Sequence, residues 1–389
     1  MPAARHAMSV LHPGPAGLRV RYRQGVLIGP DGFPDWLLYA RALVELPPPI
    51  AELTTAEQRV FDVLAANHAM RGADPLWPAA DLAPTDATLP GAPPDAILPG
   101  VAPDTNPPDA ILPGAAPDTN PPDAIRPAAV PTPAGWCWTR LPVTGDGAAR
   151  RIALVPIELH AAFRHGGGTR TLPPGRPGPG LSPDAAPVRW TSGDPVPAAA
   201  LTEVETFLGY ALPAAYRRFL LDGNGAGPAE PGVLAGVGLV ADQQLFGLGR
   251  DDPYQDLGYA PQWLADRFTP EFLPVGFVQG GLLVLRVAGQ DTGSVWFLDD
   301  DDPRDDERLE PDQICARLLH RCADDWDGFR AALHRPAAVL LEVAADLVAG
   351  GLTRPARPRL AGSALPAKLR ADWQPVAGNR LTSIDALLS

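Results

Sequence analysis

Residues 201–227 read LTEVETFLGYALPAAYRRFLLDGNGAG and decide the fold of the region around them. Apolar residues recur at helical spacing in the first part of this stretch, at Leu201, Val204, Phe207 and Leu208. Gly209 then follows as a helix C-cap would, and Pro213 suits the first position of a second helix. The predicted buried stripe of that helix is Tyr216, Phe219 and Leu220. Residues 222–225 tolerate positive φ, so the stretch predicts two short helices closed by a glycine turn.

This block resembles the opening of the SUKH superfamily, which pairs Glu-x-x-Leu-Gly-x-x-Leu-Pro-x-x-Tyr-x-x-Phe-Leu with an Asn-Gly turn. The matching residues are Glu205, Leu208, Gly209, Leu212, Pro213, Tyr216, Phe219, Leu220, Asn224 and Gly225. The resemblance continues to about Leu333 and implies a SUKH-like mixed α/β domain over residues 186–335. Members of that superfamily mostly act as immunity proteins that bind and neutralise toxins, often nucleases. The resemblance therefore implies a protein-binding role for this domain.

The composition limits what the rest of the chain can be. A chain of 389 residues with 49 prolines and 39 glycines predicts two domains joined by irregular segments. Its three cysteines are too few for a disulfide framework, and Cys315 and Cys322 are predicted to lie two turns apart on one helix face. No signal-peptide core and no run of membrane-spanning length is present, so we predict a cytoplasmic protein with no membrane partner.

The negative charge is concentrated in the second half of the chain. Residues 191–350 hold 26 Asp and Glu against 11 Arg, a net of −15, whereas residues 1–190 hold 17 against 15, a net of −2. Such a charge disfavours nucleic-acid binding by the second domain, because phosphate contacts need excess positive charge. A basic protein, in particular a toxin nuclease, is the partner that this charge would attract.

Residues 79–134 form a proline-rich repeat. The segment PPDAILPGVAPDTN at 93–106 returns as PPDAILPGAAPDTN at 107–120, a period of 14 residues. A folded solenoid is one interpretation. Because each unit offers only Ile and Leu for burial and its prolines remove hydrogen-bond donors, we favour an extended spacer.

The sequence on either side of this spacer predicts one split domain, residues 1–78 and 135–172, followed by a linker at 173–185. Residues 136–141 and 152–155 read as a hairpin, and a helix follows from Pro156. The segment LVPIELHAAFRHGGG at 154–168 resembles the ending of bacterial toxin nucleases of the HNH/endonuclease VII superfamily, Trp-His-His type. Gly32-Phe33-Pro34-Asp35, Tyr39-Ala40 and Ala65-Ala66-Asn67 resemble that family's upstream landmarks. The resemblance implies a ββα-metal core.

The catalytic positions depart from the nuclease pattern. Thr139 and Arg140 stand where that family has its His-His pair, and neither is a plausible general base at neutral pH. The helix histidines His160 and His165 are retained as the metal ligands that the resemblance implies. In a continuous helix, side chains five residues apart point about 140° apart, so the alternative is two ordinary surface histidines. We predict no cofactor apart from this single divalent metal ion.

An acidic run follows a predicted strand end near residue 298. We use this name for Asp299, Asp300, Asp301, Asp302 and Asp305. It lacks the glycine turn of a Ca²⁺ loop. The plain interpretation is a solvated loop. The functional one is an anionic patch that mimics nucleic-acid phosphates and binds the basic groove of a nuclease.

The sequence thus predicts a two-domain α+β protein, with a helix and a mobile tail at 336–389. The first hypothesis is an immunity-type protein whose SUKH-like domain neutralises a toxin and whose nuclease-like domain is degenerate. The alternative is an active metal-dependent DNase toxin that its own SUKH-like domain restrains. The Thr139 and Arg140 departures favour the first hypothesis and a protein without nuclease activity, and nucleic acid would be a partner only in the second.

Overall fold

The computed structural model describes residues 10–13, 19–23, 26–28, 34, 36–38, 40–77, 128–142, 150–161, 186–250, 253–302, 304–305 and 309–356. Within them the chain forms four antiparallel sheets and a set of helices. We call residues 10–161 the N-terminal unit and residues 186–335 the acidic domain. No helix in the described ranges is long and apolar enough to cross a membrane.

The N-terminal unit contains the predicted hairpin and the helix directly after it. Its first sheet is β1 (Val10–Pro13), β2 (Arg19–Arg23) and β3 (Val26–Ile28). The elements that follow are β4 (Ala42–Leu46), α1 (Thr55–Met70), β5 (Trp136–Arg140), β6 (Arg150–Pro156) and α2 (Ile157–Ala161). β6 pairs with β5 on one side and with β4 on the other. A hairpin followed by a helix is a local motif and does not by itself assign a function.

Helix α1 is buried on nearly every side. It begins at a capping box, in which Glu57 N–H donates to Thr54 Oγ1 at 3.2 Å and Thr54 N–H donates to Glu57 Oε2 at 2.9 Å. From Glu57 to Met70 every residue except His68 is buried. The sequence pattern predicted only one inner face for this helix, so other parts of the chain must cover the remaining faces.

The two sides of the proline-rich spacer meet in the folded unit. The Asn67 side chain donates to Val130 O and to Thr132 Oγ1, both at 3.0 Å, and accepts from Trp138 Nε1 at 2.8 Å. Trp77 stacks on Trp138 with 5.9 Å between ring centroids. Residues before and after the spacer therefore contact each other, and the split domain stays a prediction. The repeats themselves lie outside the described residues.

Deleting residues 93–120, two full repeats, is expected to lower the melting temperature by less than a few degrees. The reason is that each repeat offers little to bury and that loop-closure entropy changes only logarithmically with loop length. Thermal unfolding of the deletion variant beside the full chain is the measurement. A larger drop would mean that the repeats pack against the folded parts.

The acidic domain is a four-stranded sheet with short helices around it. Its elements are α3 (Ala198–Leu208), α4 (Ala214–Gly223), β7 (Gly232–Leu234), β8 (Leu239–Ala241), α5 (Ala260–Trp263), β9 (Phe272–Val278), β10 (Gly281–Arg286), β11 (Val295–Asp299), α6 (Pro311–Arg317), β12 (Leu319–Ala323) and α7 (Trp326–Ala332). The strand order of the main sheet is β12-β11-β10-β9, and β7 pairs with β8.

The two helix ends that the sequence predicted are confirmed. Gly209 caps α3 at φ 83° and Asn224 caps α4 at φ 31°, both in the left-handed region. The stripe of α4 is also confirmed, because Tyr216, Phe219 and Leu220 are all buried. The apolar residues at helical spacing in α3 do not share one environment: Leu201 is buried, but Phe207 is 64% exposed.

Residues 311–333 were predicted to form one helix or two; α6 and α7 confirm two, but the stretch between them is not helical. Residues 319–323 form β12, which pairs with β11, and α7 starts afresh at Asp325, whose carboxylate accepts from Gly328 N–H at 2.6 Å. Without β12, the edge of β11 would leave backbone N–H and C=O groups unpaired. The hydrogen bonds of this pairing outweigh the helical preference of residues 319–323. Cys315 and Cys322 therefore do not share a helix face.

The chain returns to the N-terminal unit after the acidic domain. The predicted last helix is α8 (Ala338–Ala349), and β13 (Arg354–Ala356) pairs antiparallel with β4. The second large sheet is therefore ordered β13-β4-β6-β5. The expectation of a mobile tail directly after the helix was wrong for residues 354–356, and residues 357–389 lie outside the described part.

Candidate functional site

The acidic run lies buried at the end of β11, in contact with the N-terminal unit. Relative exposure runs from 1% for Asp301 to 8% for Asp300. The backbone is tied down, since Asp300 N–H donates to Gly280 O at 3.0 Å and Asp301 N–H donates to the Asp299 carboxylate at 2.8 Å. The expectation of a solvated loop was therefore wrong.

Three groups of the N-terminal unit face the acidic run, and we call Arg59, Arg140 and His160 the basic face. Arg59 Nη1 donates to Asp299 Oδ2 between two buried side chains. His160 Nδ1 lies 3.5 Å from Asp300 Oδ2. Arg140 Nη1 lies 3.8 Å from Asp301 Oδ2. Each of the three consecutive carboxylates, Asp299, Asp300 and Asp301, thus faces one cationic or polar group of the basic face.

Arg140 is held in place from its other side by Asp62 of α1. Asp62 is fully buried, and its Oδ2 accepts from Arg140 Nε at 3.2 Å and from Arg140 Nη2 at 2.9 Å. Arg150 also donates to Oδ2, and Gln58 Nε2 donates to Oδ1 at 2.7 Å. A buried carboxylate with this many donors fixes the direction of the guanidinium. Arg140 therefore points at Asp301 within a prearranged network.

The structure brings Thr139, Arg140 and His160 together. His160 Nε2 lies 3.2 Å from Thr139 Oγ1, and its ring packs 5.2 Å from that of Trp36. Both ring nitrogens of His160 therefore have polar neighbours, and a metal ion would have to displace one of them. His165 lies outside the described residues, where no side chain is placed. Among the described residues no group of three or more His, Cys, Asp or Glu is suited to a metal ion, and the His160–His165 site stays a prediction.

One comparison with known proteins bears on this arrangement. A family model described as SMI1 / KNR4 family (SUKH-1) matches residues 195–329. The chain carries a SUKH-1 domain over these residues, and we call the acidic domain the SUKH-1 domain from here on. The match includes β11 and the whole acidic run, and SUKH-1 domains are known as immunity-type domains. No curated protein matches the chain, and the nuclease resemblance of the N-terminal unit stays a prediction.

Burial and charge act against each other where the SUKH-1 domain meets the basic face. Burial raises the pKa of Asp299, and the neighbouring Asp301 adds to this, while Arg59 opposes it. Burial alone would lower the pKa of Arg59, but the charges of Asp299, Asp301 and Asp302 outweigh it and raise that pKa. The arginine thus stays charged, and the buried carboxylates depend on it.

Side-chain amides of the SUKH-1 domain hold the backbone that leads into β5. Gly135 N–H donates to Gln243 Oε1 at 2.9 Å, and Trp138 N–H donates to Gln279 Oε1 at 3.0 Å. Gln279 Nε2 donates in turn to Asp242 at 2.8 Å, and Thr132 N–H donates to the same carboxylate at 2.9 Å. These bonds satisfy donors that would otherwise be buried without partners. They fix β5, and with it Arg140, against the SUKH-1 domain.

Asp302 belongs to the interior of the SUKH-1 domain rather than to the contact. His320 Nε2 lies 3.7 Å from its carboxylate, and Arg304 Nε donates to it at 2.9 Å. Burial would raise the pKa of Asp302, but His320 beside it and the hydrogen bonds from Arg304 outweigh burial and hold the pKa well below its usual range. Asp300 has a partner inside the domain too, because Arg267 Nη1 lies 3.6 Å from its Oδ1.

Asp302→Asn is expected to destabilise the protein at pH 7 and to lose this effect in acid. The folded pKa of Asp302 is depressed, so its contribution is present above the ordinary aspartate pKa of about 3.9 and is lost as pH falls towards the folded pKa. Urea unfolding of both proteins at pH 7 and at pH 3 measures the difference. An equal difference at both pH values would contradict the assignment.

Sequence reasoning missed the residues that complete the contact, namely Arg59, Asp62, Gln243, Gln279 and Arg267. It also treated the catalytic positions and the acidic run as separate, whereas the structure joins them. A cavity of about 10 Å³ remains beside Arg59, Arg140 and Asp301, which is room for about one water molecule. Arg140 itself is only 7% exposed, so this arrangement leaves little of its side chain open to solvent.

Proposed function

We propose that this protein is an immunity-type binding protein of a bacterial toxin system, and that its SUKH-1 domain neutralises a nuclease-like unit by covering the groups that would contact phosphate. The unit covered in this chain is its own N-terminal unit. The observation that carries the proposal is the buried contact between the acidic run and the basic face, made by Asp299, Asp300 and Asp301.

The chemistry of the contact supports phosphate mimicry. Nucleic-acid backbones are bound by arginines and other cationic donors, and three successive carboxylates present negative charge to such donors in a similar way. Arg140 occupies a position where the nuclease resemblance places a catalytic residue, and His160 occupies another. A cover over these two residues would block both substrate and metal.

The N-terminal unit is proposed to be catalytically degenerate. Thr139 and Arg140 offer no general base at neutral pH. Asp300, which could accept a proton, belongs to the SUKH-1 domain and is held by Arg267 and His160. The role of the unit is then that of an internal partner for the acidic run.

A second candidate function is an active metal-dependent DNase that its SUKH-1 domain restrains. The contact between Asp300 and His160 favours this alternative, since a degenerate unit would not need its histidine covered. In that case His160 and His165 would hold a divalent ion when the unit is uncovered, and the ion would polarise the scissile phosphate.

The test uses two triple variants of the full chain that change the net charge equally. One carries Asp299→Asn, Asp300→Asn and Asp301→Asn. The control carries Asp291→Asn, Asp324→Asn and Asp327→Asn, whose side chains are 41%, 91% and 57% exposed. A fluorescent 20-base-pair DNA duplex is titrated with each at low salt. We expect the first variant to bind at least about tenfold more tightly than the wild type, and the control to bind no more than about twofold more tightly.

Equal binding by both variants would mean that net charge alone is responsible and would overturn the proposal. No binding by the first variant, with its circular dichroism unchanged, would also overturn it. Incubation of plasmid with Mg²⁺, Mn²⁺ or Zn²⁺ then separates the two candidates. Nicking by the first variant that disappears with His160→Ala selects the restrained DNase, and absence of nicking selects the degenerate unit.

A further inference from the structure

The SUKH-1 domain is inserted within the N-terminal unit rather than attached to its end. The sheet β13-β4-β6-β5 takes three strands from before the SUKH-1 domain and its fourth, β13, from after it. The family match ends at residue 329, so α8 and β13 lie outside the matched range. The segment 337–356 is therefore part of the N-terminal unit in space and follows the SUKH-1 domain in sequence.

Helix α8 holds the helix that carries Arg59. It packs along α1, and its buried residues Leu340 and Ala344 join the same apolar cluster as Phe61 and Leu64. Helix α1 also contacts the SUKH-1 domain, where Ala56 O would lie 3.1 Å from a Cβ placed on Gly238. Helix α1 thus packs against both α8 and the SUKH-1 domain.

The end of this segment is its weakest part. β13 has three residues, and its pairing partner is the edge of β4. Arg354 Nη2 lies 2.8 Å from Glu45 Oε2, but the arginine side chain is 67% exposed, so the ion pair contributes little. A short, exposed edge strand of this kind opens locally at low free-energy cost.

We propose that residues 337–356 are a latch that controls the contact between the acidic run and the basic face. With the latch closed, α8 and β13 hold α1 and β4 so that Arg59 meets Asp299. With the latch open, α1 loses the packing of α8 and β13, and the acidic run separates from the basic face. What the separated surfaces then bind rests on the proposed function. The coupling between opening of the latch and separation of the two surfaces does not.

The test compares two neighbouring aspartate substitutions in α8. Leu340 is buried and Val339 is 45% exposed, so Leu340→Asp opens the latch and Val339→Asp is the matched control. Hydrogen exchange of the Gly135 and Trp138 amides reports on this separation, because these N–H groups donate to Gln243 and Gln279 of the SUKH-1 domain in the closed state. We expect exchange at these amides to rise about tenfold or more in Leu340→Asp and less than about twofold in Val339→Asp.

A disulfide keeps the proposal testable if Leu340→Asp fails to fold. Arg354 lies directly opposite Glu45 in the β13–β4 pairing. Residues opposed in this way have Cα atoms about 4.5–5.5 Å apart, which suits a disulfide. In a Cys315→Ser, Cys322→Ser background, oxidised Glu45→Cys/Arg354→Cys is expected to slow exchange at Gly135 and Trp138 several-fold relative to the same protein after reduction.

The outcomes separate the latch from the proposed function. If oxidation leaves exchange at Gly135 and Trp138 unchanged, or if Leu340→Asp and Val339→Asp change it equally, the latch proposal is wrong. If Leu340→Asp speeds exchange but does not increase binding of the DNA duplex, the latch is upheld and the phosphate-mimic function is wrong.

Discussion

Replacing Arg59 by Met is expected to lower the free energy of unfolding by about 3–5 kcal/mol, the range found when one partner of a buried ion pair is removed. Arg59 and Asp299 are both buried, with side-chain exposures of 8% and 9%. Without the guanidinium, the carboxylates of Asp299 and Asp301 lose the charge that opposes their burial. The double variant Arg59→Met/Asp299→Leu should recover part of the loss, because no charge is then left unpaired at this pair.

Arg354→Met is the matched control, since it removes an arginine from an ion pair whose arginine side chain is 67% exposed. Its expected cost is about 0–1 kcal/mol. Urea unfolding at pH 7 measures all four proteins. If Arg59→Met lowers the free energy of unfolding no more than Arg354→Met does, the ion pair between Arg59 and Asp299 is not a buried, stabilising contact.

Gly281→Ala is expected to be at least as damaging, with a loss of about 3 kcal/mol or more, at or beyond the upper end of ordinary overpacking. A Cβ at this position would lie 2.0 Å from Leu298 O, a backbone atom that cannot rotate away. Gly281 is paired with Asp299 in the β10–β11 register. The strain is therefore placed at the first residue of the acidic run.

Gly236→Ala is the comparison for this substitution. A Cβ there meets no atom within 4 Å, and we expect a change within about 0.5 kcal/mol. Thermal unfolding gives the order of the two variants. A melting temperature for Gly281→Ala close to that of Gly236→Ala would show that β10 and β11 leave room for a Cβ at residue 281.

The fold of the SUKH-1 domain was largely predictable because its signals are local. Gly209 and Asn224 end helices through their own backbone preferences, and the apolar runs around residues 273, 282 and 295 carry their strand character in themselves. β12 and β13 were missed for the opposite reason. Each is a strand because it pairs with the free edge of another strand, β12 with β11 and β13 with β4. The residue pattern within 319–323 or 354–356 does not indicate that such an edge is nearby.

The site was predictable residue by residue but not as an arrangement. Thr139, Arg140, His160 and the acidic run were all singled out, yet Arg59 meets Asp299 across 240 positions of sequence. One signal was available: Asp62 stands between Phe61 and Val63 in a helix otherwise rich in apolar residues. A carboxylate in such a place indicates a helix covered on several sides with a buried cationic partner, which Arg140 supplies.

The position of β13 has a consequence for the order in which the protein is made. A ribosome completes the SUKH-1 domain before it reaches Arg354, and at about 5–20 residues per second β13 emerges on the order of ten seconds after α2. Domains fold as units during synthesis, so the cover is formed while the sheet β13-β4-β6-β5 still lacks its last strand. A nascent chain therefore never presents a finished N-terminal unit before its SUKH-1 domain. Translation itself sets the order in which the two parts of this contact are completed.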